Sequence, residues 1–128
     1  MIKVNVTKQS SYPVNSPKLK QRLRDFFTKH GITSDAEVSV AMVGEDKMME
    51  IGNLYLKDEK LHNVFSFTPD EVKNFVNPPD GVIHLGEIVI CYPVAFQEAV
   101  DEGVKIEDRV FELAEHAGLH LLGIHHKE

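Results

Sequence analysis

The chain has 128 residues, of which 42% are hydrophobic, and these values are typical of one folded domain rather than of a disordered segment. Its formal net charge of −6 argues against unaided tight binding to a polyanion, because neutralising phosphates requires clustered lysine and arginine side chains. The charge still permits RNA binding through a local basic groove, or through a partner that already carries the RNA. We expect a single domain over residues 1–128, in the cytoplasm, because the sequence contains no signal-peptide core, no membrane-spanning run and no cysteine pair.

Hydrophobic periodicity predicts four strands and four helices along the chain. In order, we predict a strand at 2–6, a helix at 17–30 with Ser16 as N-cap, a strand at 37–43, a helix at 46–55, a short strand at 63–67, a strand at 82–91, a helix from 93 to about 103 and a last helix from about 106. The proline-rich stretch 68–81 is predicted to be a loop with room for a helical turn or a hairpin. The sequence thus predicts an α+β fold: a mixed sheet of about four strands with helices packed on it.

The strand at 82–91 has a nearly continuous apolar half, which is typical of a strand covered on both faces. We expect it to lie close to the last helix and to form a wall of a substrate cleft. Cys91, at its end, is predicted to be a small buried residue.

Five basic residues fall on the first predicted helix. An RNA-binding patch is one interpretation, but they spread around the helix instead of forming one stripe, which favours a solvated outer face; they are Lys18, Lys20, Arg22, Arg24 and Lys29.

The last helix carries two histidines, His116 and His120, four residues apart. That spacing places both rings on one face, about one turn apart, as in helices that offer two imidazoles to one metal ion. His126 is the candidate third ligand, although on a continuous helix it would lie ~15 Å from His116 along the axis. Gly123 can end the helix and turn the chain back. The alternatives are core or interface histidines, and a solvated pair formed by His125 and His126.

The stretch 116–126, H-A-G-L-H-L-L-G-I-H-H, resembles the signature H-G-x-L-H-L-L-G-Y-D-H of the YbeY endoribonucleases. Residues 85–91 are similar to the family's L-G-D-I-V-I strand, and residues 55–67 to its Y-R-x-K-D-x-P-T-D-V-L-S-F block. The resemblance implies a zinc protein that cleaves single-stranded ribosomal RNA. The cleavage would serve the maturation of that RNA and the quality control of ribosomes. It also implies the small ribosomal subunit or a ribosomal protein as a partner. Neither the sequence nor the resemblance determines the oligomeric state.

A catalytic zinc ion takes three protein ligands and leaves a fourth position for water, whose pKa falls toward neutrality. On this basis His116, His120 and His126 are the predicted ligands, and the metal-bound water is the predicted nucleophile. Three imidazoles would also accept nickel or copper. Zinc peptidases have a glutamate directly after the first histidine as general base, and Ala117 stands there instead, which argues against protein hydrolysis by that mechanism.

The middle block departs from the family pattern. Leu56 replaces an arginine and cannot bind a phosphate, so the neighbouring Lys57 becomes the candidate catalytic cation. His125 replaces an aspartate. It is predicted either to orient a ligand imidazole from behind the metal site or to bind the metal as an alternate ligand. His62, Ser66 and Glu87 are candidate cleft residues. Two further functions stay open: a non-catalytic, metal-stabilised module associated with the ribosome, and a metal-dependent hydrolase of another ester or amide.

Overall fold

The computed structural model describes residues 1–9, 11–72 and 80–124. They contain four strands and four helices, in the order strand-helix-strand-helix-strand-strand-helix-helix. The strands are β1 (Ile2–Thr7), β2 (Ala36–Val43), β3 (Val64–Phe67) and β4 (Ile83–Cys91), and the helices are α1 (Ser16–Lys29), α2 (Glu45–Tyr55), α3 (Tyr92–Glu102) and α4 (Ile106–Leu121). A 3-10 turn, Pro69–Glu71, follows β3. The predicted α+β class and element order are confirmed.

The strands form one mixed sheet in the order β1-β2-β4-β3. β1, β2 and β4 are parallel, whereas β3 pairs antiparallel to β4 at the edge. Each face of β4 is covered: Ile88 and Ile90 join the main core with α1 and α4, and Val89 and Cys91 join a second cluster. The prediction that this strand is buried on both sides, with Cys91 as a small core residue, is therefore confirmed.

Gly86 brings three elements together. Its φ of +134° suits only glycine, and a Cβ built on it would lie 2.1 Å from the Phe67 carbonyl oxygen and 2.9 Å from Leu121 Cδ2. Because residue 86 has no side chain, the end of β3 and the end of α4 can both pack against β4. This close packing brings the edge strand beside the last helix.

The start of α1 differs from the prediction by one residue. Asn15, not Ser16, is the N-cap, and its side chain accepts a hydrogen bond from the Lys18 N–H at 3.1 Å. Asn15 has extended backbone angles, while Ser16 is already helical, so only the asparagine can fill the capping position. At the other end, His30 is the C-cap and Gly31 follows with φ +96°, so the helix ends within one residue of the predicted position.

α4 is the most deeply packed helix. Seven of its residues are buried, and Gly118 faces α1 so closely that a Cβ there would lie 2.8 Å from Phe26 Cε2. No helix in the described ranges is long and apolar enough to cross a membrane. α4 is therefore a core helix whose remaining face is left for a site.

Candidate functional site

A cleft of about 480 Å³ lies between β3 and α4. One wall is the edge strand with the residue before it, and the other is a single face of the helix. The polar residues of this cleft are Asn63, Ser66, Arg109, Glu112, His116 and His120. The four from α4 are three, four and four residues apart, which is the spacing of one helical stripe. The cleft therefore displays polar side chains from an otherwise apolar helix.

His116 and His120 both line this cleft, as their spacing predicts. His116 is exposed and the His120 side chain keeps 40% of its surface accessible, so neither is a core histidine. The buried side of the helix at this level is formed by Ala117 and Gly118 instead. The two imidazoles are therefore accessible to a ligand that enters the cleft.

The helix that carries them ends at the predicted glycine. Gly123 has φ +77°, its N–H donates to the His120 carbonyl at 2.9 Å, and the Ile124 N–H donates to the Leu119 carbonyl at 2.9 Å. These two bonds are the Schellman motif, which ends a helix and redirects the chain. His125 and His126 lie outside the described residues, so their roles as alternate and third ligand stay predictions.

A carboxylate lies beside the second histidine. Glu71 Oε1 is 3.7 Å from His120 Nε2, and the same oxygen accepts hydrogen bonds at 2.8 Å from the Thr68 backbone N–H and from Thr68 Oγ1. The backbone hydrogen bond from Thr68 lowers the pKa of Glu71, and the nearby His120 acts in the same direction. Thr68 thus positions an ionised carboxylate next to an imidazole that is predicted to ligate metal.

The donor set fits zinc in part. Within residues 1–9, 11–72 and 80–124, no three His, Cys, Asp or Glu side chains are grouped closely enough to hold a metal ion. His116 and His120 nevertheless offer two imidazoles one helical turn apart, a donor type that zinc favours. The described residues therefore supply two candidate ligands, and the predicted third ligand, His126, lies outside them.

The other end of the cleft contains an ion-pair network. Arg109 donates from Nε and Nη2 to Glu98 Oε1, at 3.0 and 2.9 Å, and from Nη1 to Glu112. Asn63 Nδ2 donates to Glu98 Oε2 at 3.2 Å. Burial by itself lowers the pKa of Arg109, but the hydrogen bond and charge of Glu98 outweigh it and raise the pKa. The network joins α3, α4 and the start of β3.

Neither this network nor the position of Glu71 was predicted from the sequence. The helical stripe that starts at Arg109 and Glu112 and ends at the two histidines was visible in the spacing. No local pattern indicated that Glu98 or Asn63 would meet it, because those residues come from other elements.

Among the other candidate cleft residues, Ser66 lies in the cleft, whereas His62 and Glu87 do not. His62 Nε2 is 3.0 Å from Asp58 Oδ2, and its ring packs on Phe65 with centroids 4.8 Å apart. Glu87 lies in a separate pocket of about 170 Å³. β4 lies next to α4, as predicted, but it does not line this cleft, because β3 covers that edge of β4 and forms the wall itself.

Leu56 and Lys57 follow α2 and do not line the cleft. Leu56 is the C-cap and is 51% exposed, and Lys57 has a φ of +53°. A catalytic role for Lys57 stays a prediction.

The basic residues of α1 are partly engaged within the fold. Lys18 pairs with Glu107 at 2.9 Å, Arg22 pairs with Glu115 at 3.4 Å, and Arg24 Nε donates to the Ile2 carbonyl at 3.0 Å. These contacts favour the interpretation of a solvated outer face over that of an RNA-binding patch.

The chain is similar to known proteins of one family. A family model described as endoribonuclease YbeY matches residues 4–128. The endoribonuclease YbeY of Acinetobacter baumannii is 31% identical over 109 residues, which are 85% of this chain and 68% of that protein. That of Staphylococcus carnosus is 37% identical over 95 residues, which are 74% of this chain and 62% of that protein.

One solved structure shares the fold. The solution structure of a Thermotoga maritima protein superposes with a TM-score of 0.60 and 22% sequence identity, over 97% of this chain and 75% of that one.

Proposed function

Because this chain belongs to the endoribonuclease YbeY family, we propose that it is a zinc-dependent endoribonuclease that cleaves single-stranded RNA in the cleft between β3 and α4. Ribosomal RNA precursors, in maturation and quality control of ribosomes, are the proposed substrates, and the cytoplasm is the proposed location. The observation that carries the proposal is that two accessible imidazoles, one helical turn apart, line a cleft of about 480 Å³. A volume between about 300 and 1,000 Å³ is typical of a small-ligand site, so a nucleotide unit fits.

The zinc ion would be held by His116 and His120, with His126 as the proposed third ligand. When bound, zinc supplies Lewis acidity toward a phosphoryl oxygen and a nucleophile that is usable at neutral pH. Ser66, on the opposite wall, has a hydroxyl group that can donate a hydrogen bond to a phosphate or ribose oxygen. Glu71 would orient the His120 ring and partly balance the metal charge.

Ala117 separates this site from the zinc peptidases. It follows the first histidine, where those enzymes have their general base, and it is only 2% exposed and packed in the main core. A methyl group cannot transfer a proton, so this position argues against peptide hydrolysis by that mechanism.

The net charge of −6 makes bulk electrostatic attraction to RNA weak. We therefore propose that the protein meets its RNA on the ribosome, through the small subunit or a ribosomal protein. Such a partner would add to the weak affinity for RNA that this chain has on its own.

Purified, zinc-loaded protein should cleave a single-stranded ribosomal RNA fragment and leave a fully paired duplex of the same sequence intact. His116→Ala, prepared in parallel, should lose the cleavage and the metal together. If RNA stays intact with wild-type protein that contains one zinc ion per chain, or if His116→Ala cleaves equally well, the proposal is wrong.

A second candidate is a metal-stabilised, non-catalytic module that associates with the ribosome. The observation that favours it is Leu56, an exposed residue at the α2 C-cap where the family pattern has a phosphate-binding arginine. On this alternative, Leu56→Arg creates cleavage in a zinc-loaded protein whose wild type has none. Absence of any gain, with zinc verified, argues against it.

A further inference from the structure

Arg109 lies in the same cleft as the histidines, about two helical turns from His116 and three from His120. It precedes His116 by seven residues on α4, which corresponds to ~10.5 Å of rise along one face. Among the described residues that line the cleft, it carries the one permanent positive charge. An anionic strand that reaches His116 along this face would therefore also pass Arg109.

Glu98 fixes the position of this guanidinium. One oxygen of Glu98 accepts from both Nε and Nη2 of Arg109, at 3.0 and 2.9 Å, and the other accepts from Asn63 Nδ2 at 3.2 Å. The Arg109 side chain is only 14% exposed and that of Glu98 is 29% exposed. Three elements therefore hold Arg109 in place, and a preorganised guanidinium loses little entropy when it binds an anion.

The second partner, Glu112, is held differently. It pairs with Arg109 Nη1 from three residues along the same helix, and its side chain is 65% exposed. Because the Glu112 side chain is largely exposed, its pair with Arg109 contributes on the order of 1 kcal/mol, and another anion can displace it. Carboxylate and phosphate are the two groups that match the planar fork of a guanidinium.

We propose that Arg109 binds a backbone phosphate of the RNA, away from the bond that is cut, and that the Glu112 carboxylate occupies this phosphate position in the free protein. The inference deepens the proposed function and rests on it, because it requires RNA to lie in this cleft. Arg109 would then provide a phosphate contact that Leu56 cannot. Glu112 would act as an internal competitor that weakens RNA binding.

Binding of a short, fluorescently labelled single-stranded RNA, measured by anisotropy on zinc-loaded protein, tests both roles. Glu112→Gln should tighten binding about 3- to 10-fold, because the competitor is neutralised. Arg109→Met should weaken binding about 10-fold and reduce the slope of log affinity against log salt by about 1. Arg109→Lys keeps the positive charge but not the planar guanidinium, so its RNA affinity should lie between those of wild type and Arg109→Met.

Glu115→Gln is the matched control. It removes the same charge from the same helix, but Glu115 pairs with Arg22 outside the cleft. It should change the affinity much less than Glu112→Gln does. In the double variant Arg109→Met/Glu112→Gln, the gain from Glu112→Gln should disappear, because that gain acts through the guanidinium. Thermal melting verifies that each variant is folded, and the Glu112 and Glu115 variants alter only solvent-accessible groups.

The outcomes separate this inference from the proposed function. Equal gains from Glu112→Gln and Glu115→Gln, or unchanged binding by Arg109→Lys and Arg109→Met, overturn the inference even if RNA is cleaved. RNA that is bound with the expected shifts but not cleaved overturns the proposed activity and supports the phosphate contact. RNA that is neither bound nor cleaved overturns both.

Discussion

The two ends of the cleft hold their charged groups in different ways. At one end the Arg109 side chain is 14% exposed and is bonded to the carboxylates of Glu98 and Glu112, and Glu98 in turn accepts from the Asn63 amide. At the other end the His120 side chain is 40% exposed, and its neighbour Glu71 comes from a three-residue turn beyond the sheet edge. The Arg109 end resembles a structural ion pair, whereas the histidine end has accessible imidazole nitrogens that can bind a ligand. The same helix therefore supplies a fixed anchor and an accessible ligand pair.

The largest effect should come from removing an imidazole. His116→Ala or His120→Ala should lower zinc content from one ion per chain to near zero and reduce RNA cleavage by more than about 100-fold, since even outer-shell partners cost about 10–100-fold. Elemental analysis and a cleavage assay measure both quantities. His30→Ala is the control, because that ring bonds the Phe26 carbonyl at the end of α1. Full zinc occupancy in both cleft variants would contradict the assignment.

Gly86→Ala should destabilise the fold by about 3 kcal/mol or more, because the new Cβ is strained and clashes with the Phe67 carbonyl. Urea unfolding measures the change. Gly81→Ala is the matched control: Gly81 also has a positive φ, +73°, but its Cβ would meet nothing within 4 Å, so only the backbone cost of about 1 kcal/mol remains. Equal losses in the two variants would show that the close approach of β3 and α4 is unimportant.

Glu98→Gln should lower the free energy of unfolding by about 1–2 kcal/mol, since it removes a charge-assisted pair with the largely buried Arg109. Zinc affinity should not change, because the network lies two turns from His116. Glu102→Gln, at the end of the same helix, should change stability by less than about 0.5 kcal/mol. A loss of zinc in Glu98→Gln would mean that the two ends are not independent.

The smallest effect is expected at Glu71. Glu71→Gln should weaken zinc binding about 10-fold, at the low end for an outer-shell carboxylate, because the side chain is 46% exposed. Competition with a chromophoric chelator measures it. Asp70→Asn removes a neighbouring charge that also accepts from Thr68 and should leave the affinity unchanged. If both variants bind zinc like wild type, Glu71 does not support His120.

The order of elements and the histidine pair were predictable because their signals are local. Alternation along 37–43 and the helical spacing of His116 and His120 require only the backbone geometry of one element. Gly123 was predictable for the same reason, since a helix stop depends on the conformation of a single residue.

The network around Arg109 was not predictable in the same way. Glu98 and Arg109 are eleven residues apart on two helices, and their meeting depends on how those helices pack. The strand that lines the cleft was not predictable for a related reason. Nothing in the sequence of β4 shows that β3, earlier in the chain, pairs with its outer edge and forms the cleft wall opposite α4.

The contact of Gly118 with Phe26 and Phe27 couples two parts of the sequence that would otherwise vary independently. A relative that replaces this glycine with alanine has to trim an aromatic ring on α1 or displace α4, and displacement would carry His116 and His120 with it. Residues 26, 27 and 118 should therefore change together in evolution, even though none of them lines the cleft.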